Sequence, residues 1–321
     1  MVSTWDAPVQ KELRMVEEQL REIVHSEQPL LTEISNYIIT SGGKRMRPAV
    51  ALLVFKAVGG TDPQKIIKVA TAFELIHSAT LIHDDINDHG EMRRGRQAAY
   101  KKYGTQKALI AGDFLFVKSF ALGGTFDEKI IGVVADACTG IAESEILQSD
   151  YEHDQDTSVD VYINIIEGKT ARPFEAGARV GSYLAKSSPA VMEAMSSFGM
   201  NIGIVFQIVD DILDISGEEA TLGKARGIDI LDGKPTLPLI IAMQDRAHGD
   251  RIKQIFKKEA KSSAEVAEAL GLIKKTNALG ASMDLAEEYA NKALLDLEVL
   301  KPSEYKEALK ALIRAILERK S

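Results

Sequence analysis

Cysteine is almost missing. Cys138 stands alone in 321 residues, which rules out an intrachain disulfide and a multi-cysteine zinc centre, and leaves that thiol to be read as a small buried hydrophobe. A basic excess is missing too. The formal charge is -8, whereas general nucleic-acid binders carry a positive balance, so no nucleic-acid partner is expected. Any polyanionic ligand has to be met by a local basic cluster or by metal ions. No run of eighteen apolar residues occurs, and Met1 to Arg14 mixes charges with few apolar side chains. A soluble, cytoplasmic chain without stable membrane insertion is therefore expected. The Gly-x4-Gly-Lys-[Ser/Thr] phosphate loop is absent, as is a Ser-His-Asp signature, and no His-x-x-x-His or His-Cys spacing makes a convincing zinc site. No Pro, Ser or Gly linker separates two domains, no period repeats, and alternating strand patterns are scarce.

What is present is helix. Leu13, Val16, Leu20 and Ile23 recur at three- and four-residue spacing between Glu12 and Val24, giving one apolar stripe. Pro63 sits where a first helical residue would, and the stretch to Ile82 has neither Gly nor Pro. Gly199 to Ile215 and Tyr305 to Arg319 are further helical segments, and Gly42-Gly43, Gly59-Gly60, Gly123-Gly124 and Gly249 read as turns between helices. The expected fold class is all-α, one helical domain over residues 1–321.

Two acidic clusters stand out. Leu81-Ile82-His83-Asp84-Asp85-Ile86-Asn87-Asp88 ends an apolar helix in three carboxylates, and Gln207-Ile208-Val209-Asp210-Asp211-Ile212-Leu213-Asp214 repeats the arrangement. At about 100° per residue, Asp84 and Asp88 lie about 40° apart, with Asp85 about 60° from Asp88. One such cluster reads first as a solvated acidic face. Two of them, each following a strongly apolar stretch, ask for partners, and hard divalent cations accept carboxylate oxygens. Mg²⁺ keeps several waters and is usually shared between a few carboxylates and substrate phosphates. Two such triads would together hold a diphosphate through bridging metal.

The basic residues answer them. Gly42-Gly43-Lys44-Arg45-Met46-Arg47-Pro48 sets cations at a flexible turn before a helix that Pro48 can open, a candidate anion site. Basic turns are common, so alone this is weak. Arg93-Arg94-Gly95-Arg96 follows the first acidic cluster; a solvated loop is the plain alternative. His77 lies seven residues before Asp84 on nearly the same face, about 10 Å along the axis, although a lone His on an apolar helix is more often a satisfied core residue. Lys169-Thr170, Gly223-Lys224 and Gly233-Lys234 add cations in glycine-punctuated segments.

From Gly42 to about Pro238 these motifs resemble the trans-type isoprenyl diphosphate synthases. The resemblance rests on Gly42 to Pro48, Asp84 to Asp88 with Arg93-Arg94-Gly95, Gly168-Lys169-Thr170, Gly203 to Asp214, and Gly223-Lys224 continuing through Gly227-Ile228-Asp229 to Gly233-Lys234-Pro235-Thr236. It implies a bundle of long antiparallel helices around a deep central cavity, usually a homodimer. It implies Mg²⁺, three ions per site with Mn²⁺ as a substitute, ligated most directly by Asp84, Asp88 and Asp210 and supported by Asp85, Asp211 and Asp214. Arg93, Lys169 and Lys224 would hold an allylic diphosphate. Lys44, Arg47, His77 and Arg94 would hold isopentenyl diphosphate, Lys234 would belong to the substrate-binding set, and Thr170 and Gln207 would sit beside the reacting carbons. Arg319 would reach the second diphosphate when the tail closes.

The implied reaction ionises the allylic diphosphate, adds the double bond of isopentenyl diphosphate to the cation, and loses a proton, so the protein needs no nucleophile. Stabilising the charge on the leaving pyrophosphate and positioning two anions are the work left to it. In this family a bulky aromatic five residues before the first acidic motif blocks the product tunnel. Ala79 stands there, with Thr80 next to it and Ile76, Leu75 and Ala72 toward the amino end of the same face. Products longer than twenty carbons, about twenty-five to thirty-five, are expected. Phe114, Phe116 or Phe120 on an opposite wall leave geranylgeranyl or farnesyl diphosphate as alternatives. A class I terpene cyclase would normally lack the second aspartate cluster, and a non-catalytic partner subunit would have lost acidic motifs.

Overall fold

Leu13, Val16 and Leu20, the stripe read from the sequence, are buried along one helix, α1, Gln10–Ile23. The computed structural model describes residues 5–124, 126–217 and 226–319. Its further helices are α2 Pro29–Ile39, α3 Met46–Ala57, α4 Gln64–Asn87, α5 Ala99–Tyr103, α6 Thr105–Gly123, α7 Glu128–Asp150, α8 Val159–Ile166, α9 Arg172–Leu184 and α10 Pro189–Ser216. After them come α11 Ile228–Asp232, α12 Leu237–Met243, α13 Gly249–Phe256, α14 Ser263–Ile273, α15 Ala278–Asp296 and α16 Glu304–Leu317. Among the described residues the only strands are β1, Met92–Arg93, and β2, Arg96–Gln97, a two-rung antiparallel ladder. The all-α class holds.

By internal contacts the chain divides into two compact units. One comprises Met1–Cys138, Pro173–Gly199 and Asp296–Leu312; the other comprises Thr139–Arg172, Met200–Leu295 and Ile313–Ser321.

In the first unit α4 is the central element, packed against α1, α3 and α6. Apolar residues surround it nearly all round, the pattern of a helix with no solvent face over much of its length. Ile66, Val69, Phe73, Leu75, Ile76, Ala79 and Ile82 are all buried. By length and composition α4 is apolar enough to cross a membrane, but 72% of its most apolar window is already covered by the rest of the fold. The second unit has its own core, in which Ile215, Ile230 and Leu239 pack with Met243, Ile255, Phe256 and Ile273.

Three local readings shift. The third helix opens at Met46 rather than Pro48, because Arg45 before it takes a left-handed conformation (φ 48, ψ 40) and its side chain is pinned elsewhere. Gly249 is the first residue of α13 rather than a connecting turn. Cys138 is half-buried within α7, where desolvation raises its thiol pKa.

Candidate active site

In the first unit, α4 ends in the Asp84-Asp85-Asp88 cluster. Asp85 is buried while Asp84 and Asp88 are half-buried. A buried carboxylate needs a partner. The β1–β2 hairpin supplies it by turning the chain back at Arg94 (φ 51) and Gly95 (φ 74). Arg93 Nε then donates to Asp85 Oδ1 at 2.8 Å, and Nη2 approaches the same oxygen. Burial pushes the Asp85 pKa up, and the Arg93 guanidinium opposes that push.

The same hairpin reaches the basic turn. Arg94 donates to the Gly42 carbonyl, and a Cβ on Gly43 (φ 134) would lie 2.7 Å from Arg94 Nη1, so the second glycine permits both the backbone angle and the close approach. Arg47 lies over the Phe174 ring at 4.9 Å, and Lys44 is exposed. His77 belongs to this group: burial first, then the charges of Arg47, Arg94, Arg93 and Arg45, hold its pKa well below the ordinary imidazole value. The structure thus gathers His77, Arg47, Arg93 and Arg94, which lie far apart in sequence, into one electropositive neighbourhood. Ala79 is fully buried. The Thr80 hydroxyl donates back to the His77 carbonyl at 2.9 Å. Of the three phenylalanines read as an opposite wall, Phe116 stacks on His83 and Phe120 is 54% exposed.

In the second unit, Asp211 and Asp214 are buried and Asp210 is half-buried. Tyr162 Oη donates to Asp211 Oδ2 at 2.6 Å, Gln207 Nε2 to Asp211 Oδ1 at 2.8 Å, and Thr170 Oγ1 to Gln207 Oε1 at 2.7 Å. Burial, opposed by the Tyr162 and Gln207 hydrogen bonds, raises the Asp211 pKa to about 7. Asp214 accepts from the Asp229 backbone N–H at 3.3 Å, and its own carbonyl from Gly227 N–H at 3.0 Å, which fastens the chain entering α11 to the end of α10. Lys234 is buried with its ammonium 3.6 Å from Asp232. Arg319, past α16, lies over the Phe206 ring at 4.8 Å, with Nη2 3.4 Å from Asp210 Oδ1. Lys224 lies outside the described residues.

Lys169 and Thr170 occupy a π-helical turn, Glu167–Ala171, between α8 and α9. Single π turns inside α-helices are frequent at functional sites. Gly168 is required there, since a Cβ would fall 1.9 Å from Ser144 Oγ and 2.8 Å from the Gly140 carbonyl of α7. Lys169 reaches back to α7, 2.7 Å from Gln148 Oε1 and 2.6 Å from Glu145 Oε1.

Among the described residues no three His, Cys, Asp or Glu side chains converge as a finished metal cage. The donors that the two clusters offer are carboxylate oxygens, the ligand type that a hard divalent cation takes. In each cluster the deep carboxylates are oriented by other protein groups, as ligating carboxylates generally are.

The residues missed by sequence reading are those holding the others in place. Tyr162 had a signal, since a phenol among Val161, Ile163, Ile165 and Ile166 needs a partner for its hydroxyl. The π turn, and the contacts of Arg45 with Glu17 and Glu74, had none.

A family model described as polyprenyl synthetase matches residues 28–273. The all-trans-nonaprenyl-diphosphate synthase (geranyl-diphosphate specific) of Rhodobacter capsulatus is 37% identical, over 98% of this chain and 96% of its own length. The octaprenyl diphosphate synthase of Haemophilus influenzae is 35% identical, over 96% and 94%. Among solved structures, the polyprenyl synthase of Caulobacter crescentus complexed with calcium and isoprenyl diphosphate superposes with a TM-score of 0.95 at 33% identity, covering 100% of this chain and 98% of that one.

Proposed function

The chain belongs to the polyprenyl synthetase family, and we propose that its two aspartate-rich helix ends grip, through divalent metal, the diphosphate of an allylic substrate that isopentenyl diphosphate extends. It is a trans-prenyltransferase, a polyprenyl diphosphate synthase whose products exceed twenty carbons. The observation that carries the reading is the matched construction of the two clusters. In each, a buried aspartate is held by fixed donors (Asp85 by Arg93, Asp211 by Tyr162 and Gln207), with at least one half-buried aspartate beside it: Asp84 and Asp88 in the first cluster, Asp210 in the second.

Asp84, Asp88 and Asp210 are the direct ligands in this reading, with Asp85, Asp211 and Asp214 supporting them. When bound, Mg²⁺ (three ions, Mn²⁺ serving as well) neutralises charge developing on the departing pyrophosphate. Arg93, Lys169 and Lys224 bind the allylic diphosphate, and Lys234 belongs to the substrate-binding set. Lys44, Arg47, His77 and Arg94 bind that of isopentenyl diphosphate, with His77 acting as a neutral hydrogen-bonding group among arginines. Thr170 and Gln207, fixed to each other, line the place of carbon–carbon bond formation. Ionisation gives an allylic cation, the isopentenyl double bond attacks it, and the adduct loses a proton to the released pyrophosphate. Ala79, with Thr80 beside it, leaves room for the growing chain.

One domain spans residues 1–321, in keeping with a family match that runs through segments of both compact units. The working form is a cytoplasmic homodimer, for which Leu109, Ile110, Val117 and Phe120, exposed along α6 at helical spacing, offer an apolar face. Incubating the purified chain with Mg²⁺, isopentenyl diphosphate and a geranyl or farnesyl primer, then sizing the products, tests the assignment. Turnover should be lost in Asp84→Ala and Asp210→Ala; turnover at the wild-type rate in either would sink the reading, and a dominant product of fifteen or twenty carbons would overturn its chain length.

A further inference from the structure

Arg45 lies in the middle of the basic turn, yet its side chain serves a different purpose from those of Lys44 and Arg47. Its side chain is only 10% exposed. Nε donates to Glu17 of α1, Nη1 to Glu74 of α4, and Nη2 to the Ile39 carbonyl ending α2 at 2.6 Å, with Glu17 Oε2 a further 3.4 Å contact. One planar fork thereby joins three helices at the residue preceding a fourth, α3. Burial alone would weaken its charge, but Glu74 and Glu17 outweigh that and raise its pKa.

Two further facts tie this fork to the anion site. Arg45 holds a left-handed backbone (φ 48, ψ 40), a conformation a bulky residue keeps only when its surroundings impose it. That backbone turns the chain from Gly43 and Lys44 into the first turn of α3, which bears Arg47. Moreover, Glu74 stands three residues before His77, so the carboxylate anchoring Arg45 and the imidazole at the site share one face of α4.

We infer that Arg45 is the positioning residue of the isopentenyl-diphosphate subsite. Held by Glu17 and Glu74, it fixes the Gly42–Arg47 turn against α4 and so sets Lys44 and Arg47 in register with His77. A lysine cannot reproduce this, because the geometry needs a rigid planar fork with several donors. The inference rests on the assignment of Lys44, Arg47, His77 and Arg94 to that diphosphate.

Steady-state kinetics test it, each substrate varied with the other saturating and Mg²⁺ in excess. Arg45→Lys and Glu74→Gln should each raise KM for isopentenyl diphosphate about tenfold or more, the scale on which outer groups orient ligating ones. KM for the allylic diphosphate and kcat should stay within about twofold. Parallel rises in both KM values, or a fall in kcat alone, would make Arg45 a general brace and overturn the inference. If Arg45→Lys does not fold, Glu17→Gln, at the partner that is 35% exposed, carries the same test with the same two outcomes. Arg47→Ala separates the premises. If it leaves KM for isopentenyl diphosphate unchanged, the subsite assignment itself has failed; if it raises that KM while the Arg45, Glu74 and Glu17 variants do not, only the positioning role has.

Discussion

The phenol of Tyr162 donates to Oδ2 of Asp211 at 2.6 Å, and both residues are buried. Burial, then the charge of Asp211, lifts the Tyr162 pKa well above the ordinary phenol value, so this group remains a donor and Asp211 the acceptor. Removing the hydroxyl in Tyr162→Phe leaves Asp211 with the Gln207 amide and a dry neighbour. Outer-shell losses of this kind typically cost 10–100-fold in metal affinity or activity. The half-saturating Mg²⁺ concentration should rise by about that factor, with the substrate KM values changed far less. A Mg²⁺ titration superimposable on wild type would show that Asp211 needs no such support.

Asp211 also makes the metal-free protein sensitive to pH. Its ordinary value is 3.8, and in the fold it is raised to about 7. Between those limits the unfolded chain has released a proton that the folded chain retains. Folding therefore takes up a proton, and this carboxyl costs more stability the higher the pH climbs from about 4 to about 7. The penalty is absent below the unfolded value. Urea unfolding in EDTA should show wild type falling behind Asp211→Asn as pH rises through that window, by up to a few kcal/mol near neutrality. Parallel curves for the two proteins across the window would mean that Asp211 is not protonated in the metal-free fold.

The helical class and the two acidic helix ends were legible because each leaves a periodic trace: carboxylates at three- and four-residue spacing after residues such as Val205, Ile208 and Val209, which are buried. The grouping of His77 with Arg47 and Arg94 followed from family resemblance, since nothing in their spacing reveals that a hairpin turns at Arg94 and Gly95 to touch Gly42. Arg45 shows the limit from the other side. Its residue type and position match those of Lys44 and Arg47, the cations proposed for anion binding on either side of it, and only folding brings Glu17 and Glu74, distant in sequence, onto its guanidinium. The π turn at Lys169 was invisible for a related reason. It arises where Gly168 lets the chain close on Ser144 and Gly140 of α7, a long-range packing event with no local pattern.

Arg93 and Asp85 form a pair of unequal exposure, 38% and 6% of the side chain. Arg93→Gln would leave the carboxylate buried without its cation, a change that costs 3–5 kcal/mol for a fully buried pair. With Arg93 partly wet, about 1–2 kcal/mol is expected. Asp85→Asn in the same background should recover part of that loss, because the uncompensated charge has gone. Denaturant unfolding of the two single variants and the double variant measures the coupling. Strict additivity would mean that the hairpin is held without this pair.

Ala79 is fully buried, and Ala72, seven residues earlier on the same helix, is 7% exposed. Seven residues of α-helix advance about 10 Å, nearly two turns, so the two positions share a face of α4 at different depths. If the growing chain passes along this face, a phenylalanine at either position should stop it, sooner at Ala79 than at Ala72. Ala79→Phe should give products of twenty carbons or fewer, and Ala72→Phe products between those and wild type. Overpacking a filled core typically costs 1–3 kcal/mol, so thermal melts distinguish the cases. A ring entering open space should leave Tm nearly unchanged while shortening the product; a ring forced into packed side chains should lower Tm and leave product length as it was. The second pattern at Ala79 would place the product channel elsewhere in the fold.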